Sequence, residues 1–75
     1  MISAAERRRM LAAHSIGPRM IAYLELIGIE RLADLAGADP PTLALRINAT
    51  LGRRHINEAG VEALRNLVRL AETER

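Results

Sequence analysis

The stretch His14-Ser15-Ile16-Gly17-Pro18-Arg19 decides how this chain folds, because it separates two helix-forming segments by only a few residues. Upstream, Ser3-Ala4-Ala5-Glu6 has the capping-box pattern: the serine accepts from the amide three residues on, and the glutamate reaches back to the cap. A first helix is therefore expected from about Ala4 to Ala13. Downstream, Pro18 lacks an N–H and suits the first turn of a second helix, where no donor is needed. That helix is expected from Pro18 to Ile27, with Met20, Ile21, Leu24 and Ile27 at core spacing and Gly28 just past its end. The residues between, with Gly17 free to take a positive φ, read as a tight hairpin.

Outward from this hairpin the pattern repeats. Ile29 to Ala36 reads as a short connector helix with Leu32 and Leu35 turned inward, closed by Gly37. Asp39-Pro40-Pro41 caps and starts a fourth helix that carries Leu43, Ile47 and Leu51 on one face and ends at Gly52. Gly52-Arg53-Arg54-His55-Ile56 forms a second hairpin, and Asn57 caps a last helix with Val61, Leu64, Leu67, Val68 and Ala71 as its buried stripe. Gly60 inside that helix costs about 1 kcal/mol relative to alanine, for which close packing or a loosened first turn are two accounts. The expected architecture is all-α: five helices, the longest at the two ends, forming two hairpin units joined by a connector. Leu24, Leu35, Leu43, Ile47, Leu64 and Val68 are its expected common core.

Composition agrees. Seventy-five residues suffice for one domain, here residues 1–75 as a single unit. With 13 alanines, 11 leucines and two valines, the apolar set favours helix over strand. There is no cysteine, hence no disulfide framework or thiolate metal site, and two histidines without a carboxylate cluster give no reason to expect zinc. Met10 and Met20 read as gap-filling core residues. Tyr23 is the single aromatic, which leaves no row of rings on which bases could stack. No apolar run approaches the roughly 18 residues of a membrane span, and no signal-peptide core follows the N-terminus, so a cytoplasmic location without membrane contact is expected. No serine–histidine–acid set, cysteine nucleophile or carboxylate pair is evident, so neither an enzyme nor a cofactor is expected.

The stretch Ser15-Ile16-Gly17-Pro18-Arg19, followed by Leu24 and by Gly28-Ile29-Glu30-Arg31-Leu32-Ala33-Asp34-Leu35-Ala36, resembles the helix–hairpin–helix module. With Gly37-Ala38-Asp39-Pro40 and Gly52-Arg53-Arg54-His55, the chain is similar to the short bacterial helix–hairpin–helix proteins called pathogenicity-locus proteins, over about Ala12 to Leu70. The resemblance implies a paired helix–hairpin–helix fold and DNA contact through hairpin amides without sequence preference. Ser15 stands where the family pattern has the first of two glycines. Its Cβ restricts the loop, while its hydroxyl can cap a helix or donate to a phosphate.

Charge points to the same places. Residues 1–19 carry four arginines against one glutamate, and residues 40–57 carry three arginines and no acid. Residues 20–39 carry four acids against one arginine, and residues 58–75 four acids against three arginines, which leaves a net +2. Helix N-termini offer free N–H groups and partial positive charge to phosphates. The expected contact residues are therefore Ser15, Ile16, Gly17, Arg19, Gly52, Arg53, Arg54 and His55, with His14 close by. Arg7-Arg8-Arg9 spans about 200° of a helix and reads as solvated surface. A net charge of +2 is small for a dedicated duplex binder, so weak, non-specific DNA binding is expected. The alternative is a module that binds another protein or forms a homo-oligomer, with Leu26, Leu45 and Leu70 as its apolar patch.

Overall fold

The computed structural model describes residues 1–74. Four α-helices and no strand are present among them: α1 (Ala4–Leu11), α2 (Pro18–Leu26), α3 (Pro40–Leu51) and α4 (Glu58–Thr73). The all-α expectation holds, and no described helix is long and apolar enough to cross a membrane. Three helices start where side-chain caps place them. Ser3 Oγ accepts from the Glu6 amide at 3.2 Å, an Asp39 carboxylate oxygen from Thr42 at 3.1 Å, and Asn57 Oδ1 from Gly60 at 3.1 Å.

The expected fifth helix over Ile29–Ala36 is instead a single 3-10 turn at Leu32–Leu35. The reason lies on either side of it. Glycine at φ +87 closes α2 at Gly28, where the Ile29 amide donates to Leu24 O and the Gly28 amide to Glu25 O, both at 3.1 Å. Asp34 then folds back to accept from the amides of Glu30 at 3.1 Å and Arg31 at 2.9 Å. That bonding holds Arg31 extended, so no helical turn can begin before Leu32.

The helix lengths also differ from expectation. At 16 residues α4 is the longest, but α1, with eight, is the shortest. It stops at Leu11 because the Ala12 and Ala13 amides turn to Arg9 O and Met10 O, three residues back. The capping box at its start is half formed. Glu6, instead of reaching back to Ser3, accepts from the Leu32 amide at 2.7 Å and from Arg9 at 3.0 Å, tying α1 to the 3-10 turn.

α4 packs against α3 and the 3-10 turn, while α1 lies across α2 and that same turn. All six expected core residues are buried, as are Ile2, Met10, Ile21, Leu32 and Leu67. Met20, Ile27, Leu51 and Val61 are half-buried at the margin. Gly60 is explained by close packing: a Cβ there would fall 2.6 Å from Ile56 Cγ2. The glycine lets Ile56, just before the cap, fold down onto the first turn of α4.

Candidate nucleic-acid interface

The first hairpin distributes its strain differently from the sequence expectation. Gly17 is extended, at φ −118 and ψ 178, whereas Ser15 occupies the left-handed region at φ +68. A residue before proline is pushed out of the helical region by the proline ring, which fixes Gly17. Ile16 is buried, so the reversal of the chain falls on Ser15. The Ser15 hydroxyl bonds the His14 imidazole at 2.9 Å and caps no helix. Asn66 on α4 donates to His14 O at 3.0 Å and pins the hairpin from below.

The cap of α2 is Gly17 itself. It is the one N-cap of the four without a side-chain hydrogen bond. Among the described residues, the amides of Gly17 and Arg19 find no acceptor, and the space where a Gly17 Cβ would stand is open. This turn therefore presents unpaired donors at the positive end of a helix dipole, with the exposed Arg19 beside them.

The second hairpin is organised by Asn48, which sequence reasoning did not single out. Its Oδ1 accepts from the amides of His55 and Ile56, each at 2.8 Å, and its Nδ2 donates to Ile56 O at 3.3 Å. The only signal was a polar side chain four residues before Gly52, next to core residue Ile47. Gly52 closes α3 in the left-handed region at φ +78, and the Arg53 amide returns to Asn48 O at 3.2 Å.

Tyr23 was also missed as a site residue. Its ring centroid stands 6.0 Å from that of His55, and Arg53 Nε donates to His55 Nε2 at 2.8 Å. Arg19 lies four residues before Tyr23 and shares its face of α2. The structure thus places Arg19, Tyr23, His55 and Arg53 in sequence across the two hairpins. Arg54 instead lines a groove between α3 and α4. His14 and Ser15 lie at the first hairpin, tied to α4 rather than to this strip.

Electrostatics separate the arginines. Arg7 pairs with Glu25 at 3.1 Å, Arg9 with Glu6 and Glu74, Arg31 with Asp34 and Arg65 with Glu62. Arg19, Arg53 and Arg54, like Arg8, Arg46 and Arg69 away from the hairpins, have no carboxylate partner among the described residues, so their charge is open to a ligand. No group of three metal-ligating side chains occurs among those residues. Searches of protein-family models, curated proteins and solved structures return no match to this chain.

Proposed function

We propose that this chain is a paired helix–hairpin–helix module that binds the DNA backbone weakly and without sequence preference. In this reading α1 and α2 form the first unit, α3 and α4 the second, and the 3-10 turn joins them. The observation that carries it is the uncapped start of α2, where free amides at Gly17 and Arg19 stand next to an arginine with no acidic partner. Those amides seat one phosphate, with Pro18 presetting the turn and Gly17 admitting close approach. Arg19 and Arg53 add charge from either side of Tyr23 and His55, Gly52 and His55 complete the second hairpin's edge, and Arg54, on the groove side, adds charge only at longer range. The chain acts by binding rather than by catalysis. With three to five contacts, affinity falls near the non-specific range of about 10⁻⁴ to 10⁻⁶ M. Fluorescence anisotropy with duplex and single-stranded DNA at two salt concentrations tests this. Binding that weakens steeply with salt and ignores sequence is expected. No binding to any DNA at about 50 mM salt overturns it.

A further inference from the structure

We infer that the groove between α3 and the start of α4 is a self-association site that takes a second copy of this chain in a two-fold dimer. The groove, about 570 Å³, is walled by Pro41, Leu45, Ile56 and Val61. Its walls are rigid for reasons local to the sequence. Asn48 holds the backbone of His55 and Ile56 with three hydrogen bonds, and Gly60 lacks the Cβ that would push the Ile56 side chain away. A preformed groove saves the ordering cost of association. Leu45 stands at its edge with 69% of its surface exposed, although Ala44 beside it is buried.

The charges on the rim identify the occupant. Arg54 and Glu58 both line the groove, and neither has an ion pair or side-chain hydrogen bond among the described residues. Of nine acidic side chains Glu58 is the one so left. Glu6, Glu25, Glu30, Asp34, Asp39, Glu62, Glu72 and Glu74 all accept from an arginine, the N-terminus or a backbone amide. Helix polarity alone accounts for an acid at the start of α4. It does not account for an apolar groove bearing one unpaired charge of each sign. A two-fold interface is self-complementary, so Arg54 of each copy meets Glu58 of the other while each Leu45 enters the opposite groove. A nucleic-acid backbone is repelled by Glu58 and gains nothing from the apolar walls. A segment of single charge leaves one rim residue unmatched.

The association is weak. Standard interfaces bury about 800 Å² per partner, and the whole chain exposes only 4662 Å², so a patch centred on one groove falls in the transient class. Sedimentation from about 10 μM to 1 mM, without nucleic acid, reads it independently of the DNA reading. A reversible monomer–dimer equilibrium is expected. Leu45→Arg raises the dimer dissociation constant at least tenfold with an unchanged thermal melt, because the side chain is exposed. Arg54→Glu and Glu58→Arg each weaken the dimer, and the double exchange restores it. Glu58→Arg places a cation at a helix start in both the single and the double variant. Recovery in the double variant therefore reports the intermolecular pair and not folding. A chain that is monomeric at 1 mM, a dimer indifferent to Leu45→Arg, or a double exchange that fails to recover overturns the inference. So does a monomer that binds an added amphipathic helical peptide in this groove, which makes a different protein the occupant.

Discussion

The Tyr23 ring on α2 and the His55 ring in the second hairpin stand 6.0 Å apart with their planes tilted by 58°. The contact joins segments 32 residues apart and sets the second hairpin beside the helix that the first hairpin starts. Arg53 Nε donates to Nε2 of the same imidazole, so its guanidinium is held beside the ring that meets Tyr23. This link joins the second turn to the helix that begins at the first.

Asn48 fixes that second turn. Asn48→Ala leaves the amides of His55 and Ile56 without their acceptor; the exposed His55 amide turns to water, while the loss at the part-buried Ile56 amide costs about 1–3 kcal/mol. The expected result is a destabilisation in that range, with faster hydrogen exchange at His55 and Ile56 than in the wild type. Unchanged exchange at those two amides would show that the turn holds itself.

Ser15→Gly should stabilise the fold. A side chain in the left-handed region costs roughly 1 kcal/mol, and glycine removes that cost while adding some unfolded-state entropy. A gain of up to about 1 kcal/mol in denaturant melts is expected. Ser15→Ala keeps the Cβ and gains nothing, so equal effects of the two substitutions would refute backbone strain as the cause.

Gly60→Ala runs the other way. Helix propensity favours alanine by about 1 kcal/mol, but the new methyl meets a branched, buried side chain at 2.6 Å, and overpacking costs about 1–3 kcal/mol. Net destabilisation is expected in the wild-type background. In an Ile56→Ala background the same change should stabilise, and a double-mutant cycle reads the difference.

Helix starts and the buried stripe were legible in the sequence because both are local. Ser3, Asp39 and Asn57 each bond an amide three residues on, and the core residues recur at helical spacing. What escaped reading was set by contacts between distant segments. Glu6 leaves its capping role for Leu32, 26 residues away, and Tyr23 becomes a site residue only through His55. The connector failed as a helix because Asp34 offers the Glu30 and Arg31 amides an acceptor nearer than any helical carbonyl. At the first hairpin, proline's demand on Gly17 moved the strained conformation to Ser15.

Acid should weaken the fold through Glu6 and Asp34. The Leu32 amide holds the Glu6 carboxyl below its ordinary value against a smaller opposing effect of desolvation, with Arg9 adding to the lowering. The amides of Glu30 and Arg31 do the same for Asp34. A lowered pKa in the folded state means that the unfolded chain binds protons more readily. The stabilisation is therefore complete above the ordinary carboxylate range of about 3.9–4.3 and is lost as pH falls through the folded values. Thermal melts should shift downward below about pH 4. The shift should be shallower in a Glu6→Gln, Asp34→Asn double variant, and an equally steep decline there would assign the acid sensitivity to other groups.

Arginine substitutions test the DNA reading at the level of mechanism. Phosphate contacts carry no base information, and each one released lowers the salt slope by about one. Replacing Arg19 and Arg53 with alanine should weaken binding equally for unrelated duplexes and flatten the dependence on salt by up to about two counterions. Replacing Arg53 and Arg54 should do the same with a smaller change, since Arg54 lines the α3–α4 groove and Arg53 lies on the Tyr23 side. Both arginines of each pair are exposed and lack carboxylate partners among the described residues, so melts should move little and loss of binding reports contact rather than folding. Anisotropy titrations at several salt concentrations on two unrelated duplexes give slope and selectivity together. A loss confined to one sequence contradicts backbone recognition, and an unchanged slope removes Arg19 and Arg53 from the interface.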